Sequence, residues 1–214
     1  MKSEITSRGG RHSMGKKRKR VAQAEHTGSH FTKKKQAPRD SKESPSPSAK
    51  KLSVINDEWQ TCLKSWEDIA PLFQSYRKKK IWMPFYYDGE CAKHLRSLGF
   101  KDVYHKKQDF FQKLSDTAFV QSVDLIWDNP PYTGANLKER VLRALVKTSK
   151  PFVMLLPSSI LHSKLLQDIA DPSLIQCIIP RRVLVRKTGQ NTVPFKYLVW
   201  LCYRTSLPRD LLFV

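Results

Sequence analysis

The segment Val123-Asp124-Leu125-Ile126-Trp127-Asp128-Asn129-Pro130-Pro131-Tyr132 contains an apolar run that passes directly into Asn-Pro-Pro-Tyr. Continuous apolar runs of this kind are typical of strands buried on both faces of a parallel sheet. In open α/β sheets, ligands bind beyond the carboxyl ends of the strands. The segment therefore predicts a buried strand at residues 123–127, followed by a loop where a binding site is expected.

Apolar segments of strand length alternate with helical segments over the rest of the chain. Predicted strands cover residues 81–86, 102–105, 151–156, 175–179 and 197–203, and predicted helices cover residues 89–98, 137–148 and 161–169. Residues 58–77 carry apolar side chains three or four positions apart, which predicts a further helix, interrupted at Pro71. This alternation predicts an α/β domain with a parallel or mixed sheet and helices on both faces.

The first 51 residues differ in composition from the rest. The whole chain has 214 residues and a net charge of +20, and residues 1–51 contain 15 Lys or Arg residues against 4 Asp or Glu residues. Large apolar side chains are rare there, so burial cannot offset the entropy lost on ordering. We therefore predict a disordered basic tail at 1–51 and an ordered domain at 52–214, with a helical segment at 52–79 and an α/β core at 80–206.

The charge pattern also bears on partners and localisation. The cluster Lys16-Lys17-Arg18-Lys19-Arg20 is typical of nuclear-import or nucleic-acid-tethering signals, although a solvated charge run is an alternative. It predicts a nuclear protein, or otherwise a cytoplasmic one. The excess of positive charge favours nucleic acid as a partner. The sequence has neither an apolar run long enough to span a membrane nor a Cys-x-x-Cys pair, so no membrane or metal partner is expected.

Asn-Pro-Pro-Tyr offers the acceptors that a planar amino group needs. Such a group carries two N–H donors, and the Asn129 side-chain oxygen and the Pro130 carbonyl would each accept one. Pro130 and Pro131 lack a backbone N–H and stiffen the loop. The Tyr132 ring would stack on the base to which the nitrogen belongs. The alternative is a rigid turn after the strand, without chemistry.

An apolar strand followed by Asn129-Pro130-Pro131-Tyr132 resembles the catalytic motif of the Rossmann-like S-adenosylmethionine-dependent amino-methyltransferases, of the N6-adenine-specific type. The resemblance covers residues 80–204. It implies the class I methyltransferase fold, with a mostly parallel seven-stranded sheet and helices on both faces, and S-adenosyl-L-methionine as the cofactor. It also implies that Asn129 and Pro130 hold the target amine, with Pro131 and Tyr132 completing the catalytic motif.

Two further segments resemble the cofactor site of that family. Met83-Pro84-Phe85-Tyr86-Tyr87-Asp88-Gly89 is similar to its cofactor loop, which usually has two glycines where this sequence has one. Gln108-Asp109-Phe110-Phe111 is similar to the segment that caps the adenine, although Asp109 could instead be a helix N-cap. The acidic residue that the family has after its second strand is missing, because the chain has His105-Lys106-Lys107 there. The cofactor-binding residues implied by the resemblance are Pro84, Phe85, Asp88, Gly89, Asp109, Phe110 and Asn129.

The last part of the chain resembles the family's late hairpin, whose loop approaches the target base. Phe195 lies in that hairpin and would wall the base pocket, although a core role is the alternative. Arg181, Arg182 and Lys187 form a basic loop that would contact phosphates, unless it is simply solvated. With Tyr132, these residues are the predicted substrate-binding set.

The expected function is therefore methylation of the N6 amino group of adenine in DNA or RNA. A partner protein could supply sequence specificity, because no inserted recognition domain is visible. Two alternatives stay open. Methyltransferases that modify a glutamine side-chain amide in proteins use the same motif, and a catalytically degenerate module of the same fold would only bind nucleic acid or a partner subunit.

Overall fold

Two sheets organise the part of the chain that the computed structural model describes, residues 59–131, 136–187 and 189–214. The predicted basic tail, residues 52–58 of the predicted helical segment and Tyr132 lie outside these residues. The larger sheet has seven strands: β2 (Lys80–Trp82), β3 (Asp102–Tyr104), β4 (Leu125–Asp128), β5 (Phe152–Pro157), β6 (Ile175–Ile179), β9 (Leu198–Tyr203) and β10 (Leu211–Phe213). The smaller sheet consists of β1 (Gln60–Thr61), β7 (Val183–Arg186) and β8 (Val193–Phe195).

The order and direction of the strands confirm the predicted fold class. The seven strands lie in the order β10-β6-β9-β5-β4-β2-β3, and all pairs are parallel except the two that involve β9. From β2 the chain continues to β3 on one side and later to β4 on the other. The order reverses between β2 and β4, and a crevice forms beyond the carboxyl ends of strands at such a switch point. The sheet therefore places a ligand site next to the end of β4.

Helices cover both faces of the large sheet. The helices are α1 (Leu63–Glu67), α2 (Glu90–Ser97), α3 (Phe110–Leu114), α4 (Thr117–Ser122), α5 (Leu137–Lys147) and α6 (Lys164–Ile169), with 3-10 helices at Ala70–Tyr76, Ser158–His162 and Pro172–Leu174. Along β4, Leu125 and Trp127 face one apolar cluster and Ile126 faces another. The first cluster includes residues of α1 and α2, and the second includes residues of α4, α5 and α6. Alternate side chains of a strand point to opposite faces, so an unbroken apolar strand requires a helical layer on each side.

Aromatic side chains fill the first of these clusters. The Trp127 ring lies 4.7 Å from Phe73, 5.4 Å from Phe100 and 5.5 Å from Trp66, measured between centroids. Rings of this size bury large apolar areas and fix their neighbours by shape. The end of β4, which carries the Asn-Pro-Pro segment, is thus attached to a rigid part of the core.

Several predicted boundaries need correction. The predicted strand at 81–86 ends at Trp82, because the chain leaves the sheet at Met83 and Pro84 has no N–H for a ladder. Part of the predicted helix at 58–77 is strand β1, which pairs with β7. The predicted helix at 161–169 is split at Ser163, whose side chain caps α6 by accepting from the N–H of Leu166. Strand β10 extends the sheet beyond the predicted core boundary at 206. Within the described residues, the helices are too short or too polar to cross a membrane.

Candidate active site

A cavity of about 350 Å³ lies beyond the carboxyl ends of β2, β3 and β4. Its volume is within the range of small-molecule sites in proteins. The structure brings nine predicted site residues into its lining: Pro84, Phe85, Asp88, Gly89, Asp109, Phe110, Asn129, Pro130 and Pro131. Three segments that are distant in sequence thus converge as the sequence resemblance implies.

The loop after β2 forms one wall and ends at Gly89. This residue has φ of 86°, in the left-handed region, and is the N-cap of α2. Only glycine adopts that conformation without a steric penalty. A Cβ there would also lie 3.3 Å from the Tyr86 hydroxyl oxygen. A single glycine therefore gives the close turn, while Tyr87 occupies the position where the family has its other glycine.

Asp88 anchors this loop to the small sheet. One of its carboxylate oxygens accepts hydrogen bonds from the Glu90 backbone N–H at 3.0 Å and from the Gln60 side-chain amide at 3.3 Å. The Gln60 side chain, 1% exposed, in turn accepts a hydrogen bond from the Arg186 guanidinium. Asp88 thus lines the cavity and joins the first turn of α2 to strands β1 and β7.

Asp128 joins the loop after β2 to the Asn-Pro-Pro segment. Its carboxyl group accepts a hydrogen bond from the Phe85 N–H at 2.6 Å and another from the Asn129 N–H at 2.8 Å. The side chain is 1% exposed and lines the cavity. Burial raises the pKa of Asp128 to about 8, although the two N–H donors act in the opposite direction. Asp128 was not among the predicted site residues, although an acidic residue at the end of a buried strand was an available signal.

The Asn129 side chain is held by residues of β1 and its flank. Its amide nitrogen donates to the Thr61 hydroxyl at 3.1 Å, and the Trp59 carbonyl lies 3.5 Å from the same nitrogen. These contacts fix the orientation of the amide at the rim of the cavity. Trp59 also lines the cavity. Its role was missed because residues 58–77 were predicted to be helical.

Aromatic rings form the opposite wall. The Phe110 ring lies 5.2 Å from Phe85 and 5.8 Å from Trp82, which stacks against it at 26°. Asp109 is the N-cap of α3, since its carboxylate accepts from the Gln112 N–H at 2.7 Å. The capping alternative for Asp109 is thus confirmed, and the residue also lines the cavity.

His105 occupies the position where the resemblance implies an acidic residue. Its Nδ1 lies 2.9 Å from the Met83 carbonyl oxygen, and its ring stacks on Tyr86 at 4.9 Å. A carbonyl only accepts, so Nδ1 carries the proton. Burial lowers the pKa of His105, which favours the neutral ring and leaves Nε2 as an acceptor. His105 lines the cavity and was not predicted as a site residue.

The predicted substrate-binding residues divide into two groups. Phe195 and Lys187 both contact Trp59, with ring centroids 4.7 Å apart for Phe195 and with the Lys187 Nζ 4.8 Å from the Trp59 ring centre. Like Phe195 and Lys187, Arg181 and Arg182 do not line the main cavity. They border a separate groove of about 380 Å³ together with Pro194 and Lys196. Tyr132 lies outside the described residues, and among those residues there is no cluster of His, Cys, Asp or Glu able to hold a metal ion.

Comparisons with protein-family models and with curated proteins give no match. Among solved structures, the chain is similar to a Listeria monocytogenes protein provisionally described as a class I S-adenosylmethionine-dependent methyltransferase. The two share 10% sequence identity with a TM-score of 0.37, over 71% of this chain and 64% of that chain. The chain thus spans less than two thirds of the length of that protein. The assignment of the fold rests on the strand order and directions described above.

Proposed function

We propose that this chain is an S-adenosylmethionine-dependent methyltransferase that acts on the N6 amino group of adenine in DNA or RNA. One observation carries the proposal. The predicted cofactor loop, the Asp109–Phe110 pair and the Asn-Pro-Pro rim line one cavity at the switch point of the sheet. A rigid turn without chemistry would not require these three segments to converge.

The lining of the cavity suits S-adenosylmethionine. Phe85 and Phe110 offer aromatic faces for an adenine ring, and Asp109 lies beside them to accept from its amino group. Gly89 lets the backbone approach the methionine part closely. When bound, this cofactor supplies an electrophilic methyl group on a positively charged sulfur. The acidic side chains Asp88 and Asp128 suit a ligand that carries positive charge.

The chain itself contributes mainly positioning. The Asn129 amide oxygen and the Pro130 carbonyl accept the two N–H groups of the target, which directs the nitrogen lone pair toward the donor. The Trp59 carbonyl only accepts, so its contact with the Asn129 side-chain nitrogen leaves the amide oxygen as the acceptor for the target. Alignment of two reactants can lower the barrier by about 7–11 kcal/mol. Since the positive charge on the donor sulfur makes the methyl group electrophilic, the transfer requires no strong base.

The surroundings of the rim favour nucleic acid as the substrate. Trp59, whose carbonyl oxygen lies 3.5 Å from the Asn129 side-chain nitrogen, packs against the Phe195 ring and the Lys187 ammonium. Flipped bases bind by stacking on such rings, and a base must leave the duplex before its amino group can react. Arg181, Arg182 and Lys196 around the second groove suit phosphate contacts. A net charge of +20 supports the same substrate class.

The test offers the full chain and methyl-labelled S-adenosylmethionine to separate pools of DNA, RNA and protein. Nucleoside and amino-acid analysis then locates the label. We expect N6-methyladenine from one nucleic acid pool, and Asn129→Ala should abolish it, whereas Gln121→Ala on exposed α4 should not. Label in glutamine side chains would instead support the protein substrate. Donor binding without any transfer would support the non-catalytic module.

A further inference from the structure

Asp128 is a fully buried acidic group for which the described residues provide no positive charge. Its two hydrogen bonds there come from the neutral backbone N–H groups of Phe85 and Asn129. None of the ion pairs between described residues involves it. A buried carboxylate without a nearby cation is strongly disfavoured, and such a group keeps its proton instead. The empty protein therefore holds a carboxylic acid at this position near neutral pH.

The same group lies on the surface of the cavity, between the two segments that the proposed function uses. Phe85 belongs to the proposed cofactor loop, and Asn129 belongs to the rim that holds the amine. A ligand that spans these segments must pass the Asp128 carboxyl group. S-adenosylmethionine has two cationic groups at this end, the sulfonium and the α-ammonium of its methionine part.

We propose that Asp128 is the counter-charge for a cationic group of the methyl donor, and that donor binding expels the proton of its carboxyl group. This inference rests on the proposed function. The step balances without any redox change: the carboxylic acid loses its O–H proton to the buffer, and the carboxylate then faces the donor's cation. Loss of the proton changes the charge of the site by −1, and this change offsets the positive charge that the ligand brings in. Asp128 thereby makes the affinity for a cationic donor greater than that for a neutral nucleoside.

Other titratable groups also line the cavity near Asp128. The Cys91 thiol on α2 has a raised pKa, chiefly through burial and also through Asp128, so it stays protonated. His105 at the end of β3 has a lowered pKa because it is buried, so it is already neutral above pH 7. Asp88 accepts hydrogen bonds from Glu90 and Gln60, and Asp109 caps α3 across the cavity.

Titration calorimetry of the full chain in buffers of different ionisation enthalpy measures the protons exchanged on binding. Burial raises the pKa of Asp128 to about 8, so we expect release of most of one proton per S-adenosylmethionine bound at pH 7, falling toward zero at pH 9.5. Neutral 5′-methylthioadenosine, which lacks both cations, should release none. S-adenosylhomocysteine keeps only the α-ammonium. Proton release on its binding would therefore identify the α-ammonium as the group that faces Asp128, and binding without release would identify the sulfonium.

Two variants complete the test. Asp128→Asn should bind without proton release, whereas Asp124→Asn, immediately before the first residue of β4, should release as the parent does. If the Asp128 variant does not fold, the unmodified protein provides the test. The number of protons that it releases on donor binding should then fall toward zero between pH 7 and 9.5. Binding of S-adenosylmethionine without proton release at pH 7, or equal release with methylthioadenosine, would overturn this inference alone. A complete lack of donor binding would overturn it together with the proposed function.

Discussion

The side-chain nitrogen of Asn129 donates to the hydroxyl oxygen of Thr61, 3.1 Å away across a separation of 68 residues in the chain. Thr61 is fully buried and lies in β1, which pairs with β7 in the small sheet. The orientation of the proposed amine-binding amide is therefore set by a strand outside the large sheet. In the proposed mechanism, the small sheet therefore positions the amide that accepts the target amine.

Replacement of Thr61 by Val removes the acceptor while keeping the shape of the side chain. We expect the unfolding free energy to fall by about 0.5–1.5 kcal/mol, which is the net contribution of one hydrogen bond. Methyl transfer in a single turnover should slow by about 10- to 100-fold through misorientation, with donor affinity unchanged. Thr61→Ser keeps the hydroxyl and should restore most of the rate. An undiminished rate in Thr61→Val would show that this hydrogen bond does not position the amide.

The stability of the protein should depend on pH through Asp128. Its pKa of about 8 in the folded protein exceeds the value near 3.9 of an unfolded chain, so the folded state holds the extra proton. This contribution is fully present below about pH 4 and is lost as the pH rises toward 8. The difference in unfolding free energy between the parent and Asp128→Asn should therefore fall with pH, by at most about 1.4 kcal/mol per unit. A difference that stays constant between pH 5 and 8 would contradict the protonated state.

Gly89→Ala should weaken donor binding more than it weakens the fold. The left-handed φ of 86° costs an alanine about 1–2 kcal/mol, and the new Cβ meets the Tyr86 hydroxyl. Gly189→Ala is a matched control, because Gly189 has φ of 76° with nothing within 4 Å of a Cβ. Thermal unfolding and donor titration separate the two effects. Equal donor affinity in both variants would remove Gly89 from the cofactor site.

Deletion of residues 1–50 should leave the large sheet intact and weaken binding to nucleic acid. Each Lys or Arg that neutralises a phosphate adds to the dependence of affinity on salt. The truncated chain should therefore show a shallower slope of log affinity against log salt, with an unchanged circular dichroism spectrum. If the slope is the same for both chains, the tail does not contact the phosphates.

The sequence was sufficient for the features that follow from local patterns. The unbroken apolar run before Asn129 predicted a strand buried on both faces, and β4 has that position. The alternation of strand and helix segments predicted a parallel or mixed sheet, and the family resemblance implied the mostly parallel arrangement of seven strands. The family resemblance pointed to the Asp109–Phe110 pair, which lines the same cavity as Pro130 and Pro131.

The features that were missed depend on contacts between distant segments. The two-residue strand β1 has no periodicity of its own and exists because Thr61 and Gln60 pair with β7. Trp59 looked like one side of an amphipathic helix until that pairing placed it beside the cavity. His105 stands where the resemblance implies an acidic residue, so it was not predicted as a site residue. Only its contact with the Met83 carbonyl shows which ring nitrogen is the acceptor. Arg181 and Arg182 were grouped with Lys187 by sequence proximity, whereas the turn into β7 directs them to a different groove.

The most direct test of the central claim is single-turnover transfer from labelled S-adenosylmethionine to matched oligonucleotides. One contains adenine, and the other contains purine, which has the same ring without the N6 amino group. The account predicts N6-methyladenine from the first, no label in the second, and a loss of about 100-fold or more in rate for Asn129→Ala with donor binding retained. Equal labelling of both oligonucleotides, or an unchanged rate in Asn129→Ala, would contradict the account.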